Sequence, residues 1–212
     1  MLIMGILNVT PDSFADGGKH NEFDAALARG LEMIQEGVDI IDIGGESTRP
    51  GAERISEAEE IARTIPVITE LAKHGVKISI DTMRASTAEA AINAGASIIN
   101  DVSGGLADPL MLQTTARLQV PYIAMHWRGQ SKDMNSRAIY TDVVIDVISE
   151  LQERIAAALD AGIDPNNLII DPGLGFAKEA DHNWAIIDAV DDFVALGYPC
   201  LLYTSPSPRD TR

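Results

Sequence analysis

The sequence predicts an α/β fold, a TIM-type (β/α)8 barrel of which about seven βα units are visible. Three observations carry this. Short β-branched runs alternate with stretches of helical spacing along the chain, as in a parallel sheet with right-handed crossovers. Polar residues stand at nearly every strand end: Asn8, Thr48, Asp81, Asn100, His126 and Asp171. A barrel gathers all its strand ends around one pocket. A doubly wound nucleotide binder would instead carry a glycine-rich phosphate turn after an early strand. Neither GxGxxG nor GxxxxGK[ST] occurs, and there is no Asn-Gly hairpin signal.

The elements follow in order. Met1 to Leu7 is apolar and β-like, and a turn-rich loop, Asn8 to Gly18, comes next. Phe23 to Gln35 has helical spacing, with Gly37 as a stop. Val38 to Ile43 is a strand that breaks at Gly44-Gly45 into the polar segment Glu46-Ser47-Thr48-Arg49, closed by Pro50-Gly51. Ser56 to His74 is a helix opened by a capping box and ended by Gly75. Lys77 to Asp81 is a third strand, Ser86 to Asn93 a helix, and Ala96 to Ile99 a fourth strand leading into Asn100-Asp101. Pro109 to Leu118 is a helix and Val120 to Met125 a fifth strand, leading into His126. After a loop, Asp142 to Ala161 is a long amphipathic helix and Leu168 to Ile170 a sixth strand, leading into Asp171-Pro172-Gly173. Trp184 to Val194 is a helix, and Pro199 to Leu202 starts a seventh strand. Residues 1–202 thus form one domain. The tail 203–212, with Pro206 and Pro208, fits neither ladder nor helix.

Composition narrows the function. The formal net charge of −16 argues against nucleic acid, because phosphate backbones need clustered Lys and Arg. The single Cys200 excludes an internal disulfide framework and suits a reducing compartment; in its apolar run it reads as a core residue. No apolar run approaches the ~20 residues of a membrane span, and no signal peptide is legible at Met1-Leu2-Ile3-Met4. The expected location is the cytoplasm.

The candidate chemistry lies at the strand ends. Asp81, Asn100 and Asp171 are expected at matched depth, each after apolar β-formers. Carboxylates so placed need donor partners, and a 2-amino-4-oxo pteridine edge supplies two donors to one carboxylate. The plainer reading of Asp81 is a cap for the following helix. Asn8 offers an amide oxygen suited to Mg2+, which prefers oxygen ligands and substrate phosphates, or it is a turn residue. Thr48 and Arg49 suit phosphate or carboxylate, or Arg49 is a solvated surface pair. Asp171 to Lys178 puts an acid, Phe176 and a cation on one glycine-rich loop. His126 reads as a hydrogen-bonded structural residue rather than a general base. Met125 and Trp127 read as pocket wall or core. No Cys/His zinc cluster and no serine nucleophile elbow is present.

Several long segments resemble the dihydropteroate synthase family. Met4 to Gly18 (MGILNVTPDSFADGG) is similar to its first signature and Ile41 to Gly51 (IDIGGESTRPG) to its second. Ser79-Ile80-Asp81-Thr82, Ile98-Ile99-Asn100-Asp101 and Asp171 to Lys178 (DPGLGFAK) are similar to its pterin-site segments. The resemblance covers residues 1 to about 202. It implies a TIM barrel, usually a homodimer, that joins 6-hydroxymethyl-7,8-dihydropterin pyrophosphate to 4-aminobenzoate and releases pyrophosphate. It implies that Asp81, Asn100 and Asp171 hold the pterin, with Met125 in the pocket. Asn8 would lie at the Mg2+ and pyrophosphate, and Thr48 near the pyrophosphate. Phe14, Asp16 and Arg49 would close over the site, and Phe176 and Lys178 would border the aminobenzoate pocket where sulfonamides compete. Asn8, Asp81, Asp171 and Arg49 are the residues this assigns to catalysis. The family continues after strand seven with Ser-Arg-Lys and ends strand eight with Arg-x-His. Tyr203-Thr204-Ser205-Pro206 departs from that pattern, so a C-terminally incomplete barrel is expected. The alternatives are a pterin-binding fragment without turnover and a related pterin-binding methyltransferase domain. The Thr10-Pro11-Asp12-Ser13-Phe14 and Ser47-Thr48-Arg49-Pro50 loops argue against the methyltransferase.

Overall fold

A computed structural model describes residues 1–10, 19–46, 54–129 and 134–203, side chains of 19–21 and 134–135 apart. The strands are β1 (Met4–Asn8), β2 (Ile40–Gly44), β3 (Lys77–Asp81), β4 (Ile98–Asp101), β5 (Tyr122–Met125) and β6 (Leu168–Asp171). The helices are α1 (Lys19–Glu36), α2 (Glu57–Ala72), α3 (Ala85–Ala94), α4 (Met111–Leu118), α5 (Val143–Asp160), α6 (Ala180–Asp188) and α7 (Val190–Val194). All neighbouring strands pair in parallel. Their order across the sheet is chain order, β1 to β6. A doubly wound sheet reverses its order at a switch point. Winding without reversal is that of a barrel, and among the described residues β1 and β6 do not pair with each other.

Both faces of the sheet are covered, which explains the near-continuous apolar strands. Along β2 all five residues are buried. Ile41 and Ile43 join Ile78, Ile80, Ile99 and Leu71 of α2 in the large core between sheet and helices. Ile40 turns the other way, into a smaller cluster with Ile98 and Ile123 that Met4, Ile169 and Leu201 flank. Side chains alternate across a strand, so Asp42 and Gly44 share the inner face with Ile40. The barrel interior is therefore apolar at the strands' beginnings and polar at their ends.

Local chemistry sets the helix boundaries. Ser56 Oγ accepts from Glu59 N at 3.2 Å to start α2, and Asp142 Oδ1 accepts from Val144 N and Ile145 N at 3.0 and 3.1 Å to start α5. Gly95 ends α3 at φ +117°, and a Cβ there would lie 2.7 Å from Ala72 Cβ. Two expectations need correction. The helix expected over Trp184 to Val194 is two helices meeting at Ala189, and the first starts four residues early. Its start is held by Glu179 N donating to His182 Nδ1 at 3.1 Å, a pairing that Ser/Thr/Asp/Asn capping preferences do not flag. The seventh strand is reduced to one parallel bridge, Ile170 to Cys200. Ile170 N donates to Pro199 O and Leu201 N to Ile170 O, at 2.9 and 2.8 Å. Pro199, lacking an N–H, cannot extend the ladder.

Ile80 is fully buried between the sheet and the helices. Ile80→Ala is expected to cost about 2–5 kcal/mol, read as a lowered midpoint in thermal unfolding.

Candidate active site

Four inner-face positions form one row across the first four strands. Asn8 pairs with Gly44, Gly44 with Asp81, and Asp81 with Asn100. The row then passes to Ile123 and Ile169. Asp171 lies two residues beyond that row and pairs with Met125. Asp81 and Asn100 therefore match in register as expected, and Asp171 does not. The stagger of barrel strands slants each row relative to the barrel axis, and this offset is invisible when strands are compared one by one.

Gly44 makes the floor of the row. A Cβ added there would meet Asp81 Oδ2 at 3.3 Å and Asn8 Oδ1 at 3.7 Å. Glycine thus lets two hard oxygens converge over bare backbone. Asp81 has no hydrogen-bond partner among the described residues, and it does not cap α3: Ala85 N donates instead to Asp108 Oδ2 at 2.8 Å. Asn100 Nδ2 donates to Asp42 Oδ2 at 3.0 Å, which uses one of its two N–H groups, fixes the orientation of the amide and leaves its oxygen as an acceptor for a ligand. Asp171 Oδ1 accepts from Gly173 N at 2.7 Å.

Asp42, the polar residue inside the apolar run of β2, belongs to this group. It is 4% exposed, and neither its Oδ1 nor the buried Ser79 Oγ has a hydrogen-bond partner among the described residues. The available signal was its spacing, two residues before Gly44 and so on the same face.

The electrostatics are those of crowded carboxylates. Burial pushes the Asp81 carboxyl well up, and Asp42, Glu60, Asp101 and Glu46 push it further. Burial raises Asp42, against the lowering influence of Ser79 and Asn100. Asp171 is raised to about 6 by burial and by Asp42, while the Gly173 N–H and Lys178 act downward.

The nearby cations among the described residues are engaged elsewhere. Arg84 bonds Glu60, Glu46 Oε2 at 2.9 Å and Ile55 O at 2.6 Å. Arg54 Nε meets Glu46 Oε1 at 3.0 Å, and Arg63 Nη1 meets Gly45 O at 3.0 Å. These bonds tie the two ends of the segment between Gly45 and Ile55 to α2 and to the start of α3. Glu60, 1% exposed, also accepts from Thr82 and Thr87 at 2.6 and 3.2 Å.

Lys178 is buried, with its ammonium turned into the loop base. Burial lowers it to about 7, and burial lowers its partner His126 to about 4. His126 is thus a structural acceptor, in keeping with its plainer reading. Phe176 is partly buried on the same loop. Phe14, Asp16, Thr48 and Arg49 lie outside the described residues. Among the described residues no three His, Cys, Asp or Glu side chains converge to hold a metal.

The fold is an open-ended parallel barrel whose inner mouth offers acceptors without a side-chain donor among the described residues, the arrangement of a site for a donor-rich small molecule. Residues 4–207 match the family described as pterin binding enzyme. The dihydropteroate synthase of Bacillus subtilis (strain 168) is 51% identical over 205 residues, which span 96% of this chain and 70% of that protein. The solved structure of Xanthomonas albilineans dihydropteroate synthase with 4-aminobenzoic acid superposes with a TM-score of 0.89 at 46% identity, covering 95% of this chain and 71% of that one. The same enzyme in complex with 7,8-dihydropteroate gives 0.84 at 42% identity over the same shares of the two chains. The chain belongs to the pterin-binding enzyme family, and within it to the dihydropteroate synthases.

A carboxyl raised on folding favours its neutral form, so its share of stability is full below its ordinary pKa and is lost as pH rises through the folded value. For Asp171 that window runs from about pH 4 to about 6. Asp171→Asn keeps an acceptor for Gly173 N and removes the buried charge. It is expected to raise stability at pH 7.5 by up to about 3 kcal/mol, with the gain vanishing toward pH 4, while pterin affinity is lost. Thermal unfolding across pH, with calorimetric titration of a pterin, checks both halves.

Proposed function

We propose that the chain is a transferase of folate biosynthesis. It condenses 6-hydroxymethyl-7,8-dihydropterin pyrophosphate with 4-aminobenzoate, giving 7,8-dihydropteroate and pyrophosphate. One observation carries the reading: Asp81, Asn100 and Asp171 present acceptors on one inner face, and among the described residues no side-chain donor claims them, the backbone N–H of Gly173 alone reaching Asp171. A pterin's amino and ring N–H groups complete that set. Met125, in register with Asp171, packs against the ring.

The ring, so held, places its methylene carbon toward the polar strand ends; the arylamine nitrogen attacks as the C–O bond to pyrophosphate breaks, and the proton that the nitrogen sheds passes to the departing pyrophosphate or to solvent. No side chain needs to act as a nucleophile. The electron-rich ring stabilises the cation-like carbon, and burial excludes water from it. Asn8 would hold Mg2+ through its Oδ1, which opens over Gly44 beside Asp81, with the substrate's phosphates supplying further oxygens, as this ion prefers. When bound, it offsets the charge that develops on the leaving group. The segments carrying Phe14, Asp16, Thr48 and Arg49 would serve the pyrophosphate and aminobenzoate ends, and Phe176 borders the aminobenzoate.

The proposed partners are these small molecules and a second copy of the chain. Trp184 and Ile187 of α6 and Val194 of α7 are exposed and suit burial against such a copy. No described helix is long and apolar enough to cross a membrane, and the cytoplasm, where the reducing poise suits the free Cys200, is the proposed location.

Pyrophosphate release, coupled to a colorimetric assay with both substrates and Mg2+, tests the reading. Turnover is expected with the wild type and is abolished by Asp81→Asn. Asn8→Ala is expected to lower kcat at least 100-fold, the loss typical of removing one group that stabilises a leaving charge, while changing pterin affinity less than threefold. Chelation of Mg2+ should stop turnover and leave pterin binding in place. A wild type that neither binds the pterin nor releases pyrophosphate sinks the proposal.

A further inference from the structure

Lys178 is an anomaly on a ligand-facing loop. Its side chain is buried and makes no ion pair among the described residues, and all three of its ammonium hydrogens are engaged. They meet His126 Nδ1 at 2.9 Å, Gly173 O at 2.9 Å and Phe176 O at 3.0 Å. An ammonium against Nδ1 requires that nitrogen to be a bare acceptor, so the His126 proton sits on Nε2 and is donated to Glu150 Oε2 at 2.9 Å. Glu150 is gripped by the Arg128 guanidinium, which stacks 3.9 Å over the Tyr140 ring. Tyr140 Oη closes the circuit by donating to Ala177 O at 2.9 Å.

The turn between Asp171 and Lys178 is thereby fastened at three successive carbonyl sites, Gly173, Phe176 and Ala177. Its shape is demanding. Gly173 has φ +69°, and a Cβ there would stand 2.6 Å from His126 O; Ala177 has φ +49°. Asp171 hangs its Oδ1 on the N–H of this same Gly173. Lys178 cannot reach a ligand without releasing the turn, so it acts at one remove.

We propose that Lys178, seated on His126, is a positioning residue for pterin capture: it holds the turn that orients Asp171 and supplies the positive charge behind that carboxylate. The proposal rests on the pterin reading above. The charged groups around the pair are few. Glu150 of α5, Arg128 after β5 and Asp171 of β6 act on Lys178. Asp42 of β2 acts on Asp171, and the Cys200 thiol, raised to about 11, also feels Asp171. Among the described residues, Lys178 is the cation that lowers Asp171.

The test is the pH profile of 6-hydroxymethylpterin binding, by calorimetry from pH 5.5 to 9, on the wild type and on Lys178→Met. The quantity read is the ratio of variant to wild-type affinity, in which the ligand's own titration cancels. Without the lysine charge, Asp171 takes up a proton at higher pH and cannot accept both ligand donors. The variant is expected to bind at least tenfold more weakly at pH 6.5–7, with the ratio recovering several-fold by pH 9. A constant residual deficit at high pH reports the loosened turn. If Lys178→Met shows no cooperative unfolding transition, Lys178→Gln, which keeps donors for the carbonyls, takes its place with the same expected profile. A ratio that is low but flat across pH means a purely structural lysine and overturns the proposal, as does a ratio near one throughout. Failure of the wild type itself to bind at any pH sinks the pterin reading, and the proposal with it.

Discussion

The constraint on which the molecule turns is the burial of several carboxylates at strand ends where the neighbouring cations, among the described residues, are already committed. An ionised carboxylate in such a place is costly unless paired. Asp42 and Asp171 are almost wholly buried, and Asp81 sits among four other acids that raise it. The two cations best placed to neutralise the group are both turned inward to hold loops, Arg84 on Glu46 and Glu60 and Lys178 on His126 and the turn carbonyls. The carboxyls are accordingly raised by burial and by one another, a cost that hydrogen-bond donors from a ligand would offset. Affinity and reduced stability have the same origin, a common arrangement in binding clefts.

Such a cluster persists only if the scaffold cannot collapse around it. The scaffold's strength lies outside the barrel, in the dense layer that Ile41, Ile43, Ile78, Ile80 and Ile99 form against the helices. That layer fixes the strands, and the alternation of side chains then fixes which residues look inward. Asn8, Asp42, Asp81, Asn100 and Asp171 need no local device to face the mouth. The ligand-facing loops do need one, and each has a buried charge at its root: Glu60 with Arg84 below the segment after β2, Lys178 with His126 below the turn after β6.

The barrel and the identities of most site residues were legible because strand composition and strand ends are local properties. β3 matches its expected span, Lys77 to Asp81, since its end is marked by a carboxylate after alternating apolar residues. What stayed hidden depends on three dimensions. Asp42 shares a face with Gly44 by spacing, but which face looks inward is not marked in a strand whose two faces are both buried. The offset of Asp171 relative to Asn100 comes from register between strands. Lys178 carries the composition of a ligand contact, and only the fold shows that its ammonium points away from solvent. Arg84 and Glu60 lie 24 positions apart, so no periodicity links them. The seventh strand had the right composition, yet Pro199 and a single neighbouring strand limit it to one bridge.

A pocket lined by acceptors selects by rejection as much as by attraction. A ring that presents N–H groups to Asp81, Asn100 and Asp171 satisfies each of them. A ring of the same shape with a carbonyl where the pterin has an amino group sets a lone pair against a buried carboxylate, and leaves that carboxylate without the donor that offsets its desolvation. Buried polar groups left unpaired discriminate more strongly than small differences of volume, and repulsive mismatches are an efficient source of specificity. Asp42 sharpens this. By holding Asn100 Nδ2 at 3.0 Å, it fixes which way that amide turns its acceptor oxygen. An amide free to flip would present oxygen or N–H alike, and through it the pocket would tolerate the wrong edge.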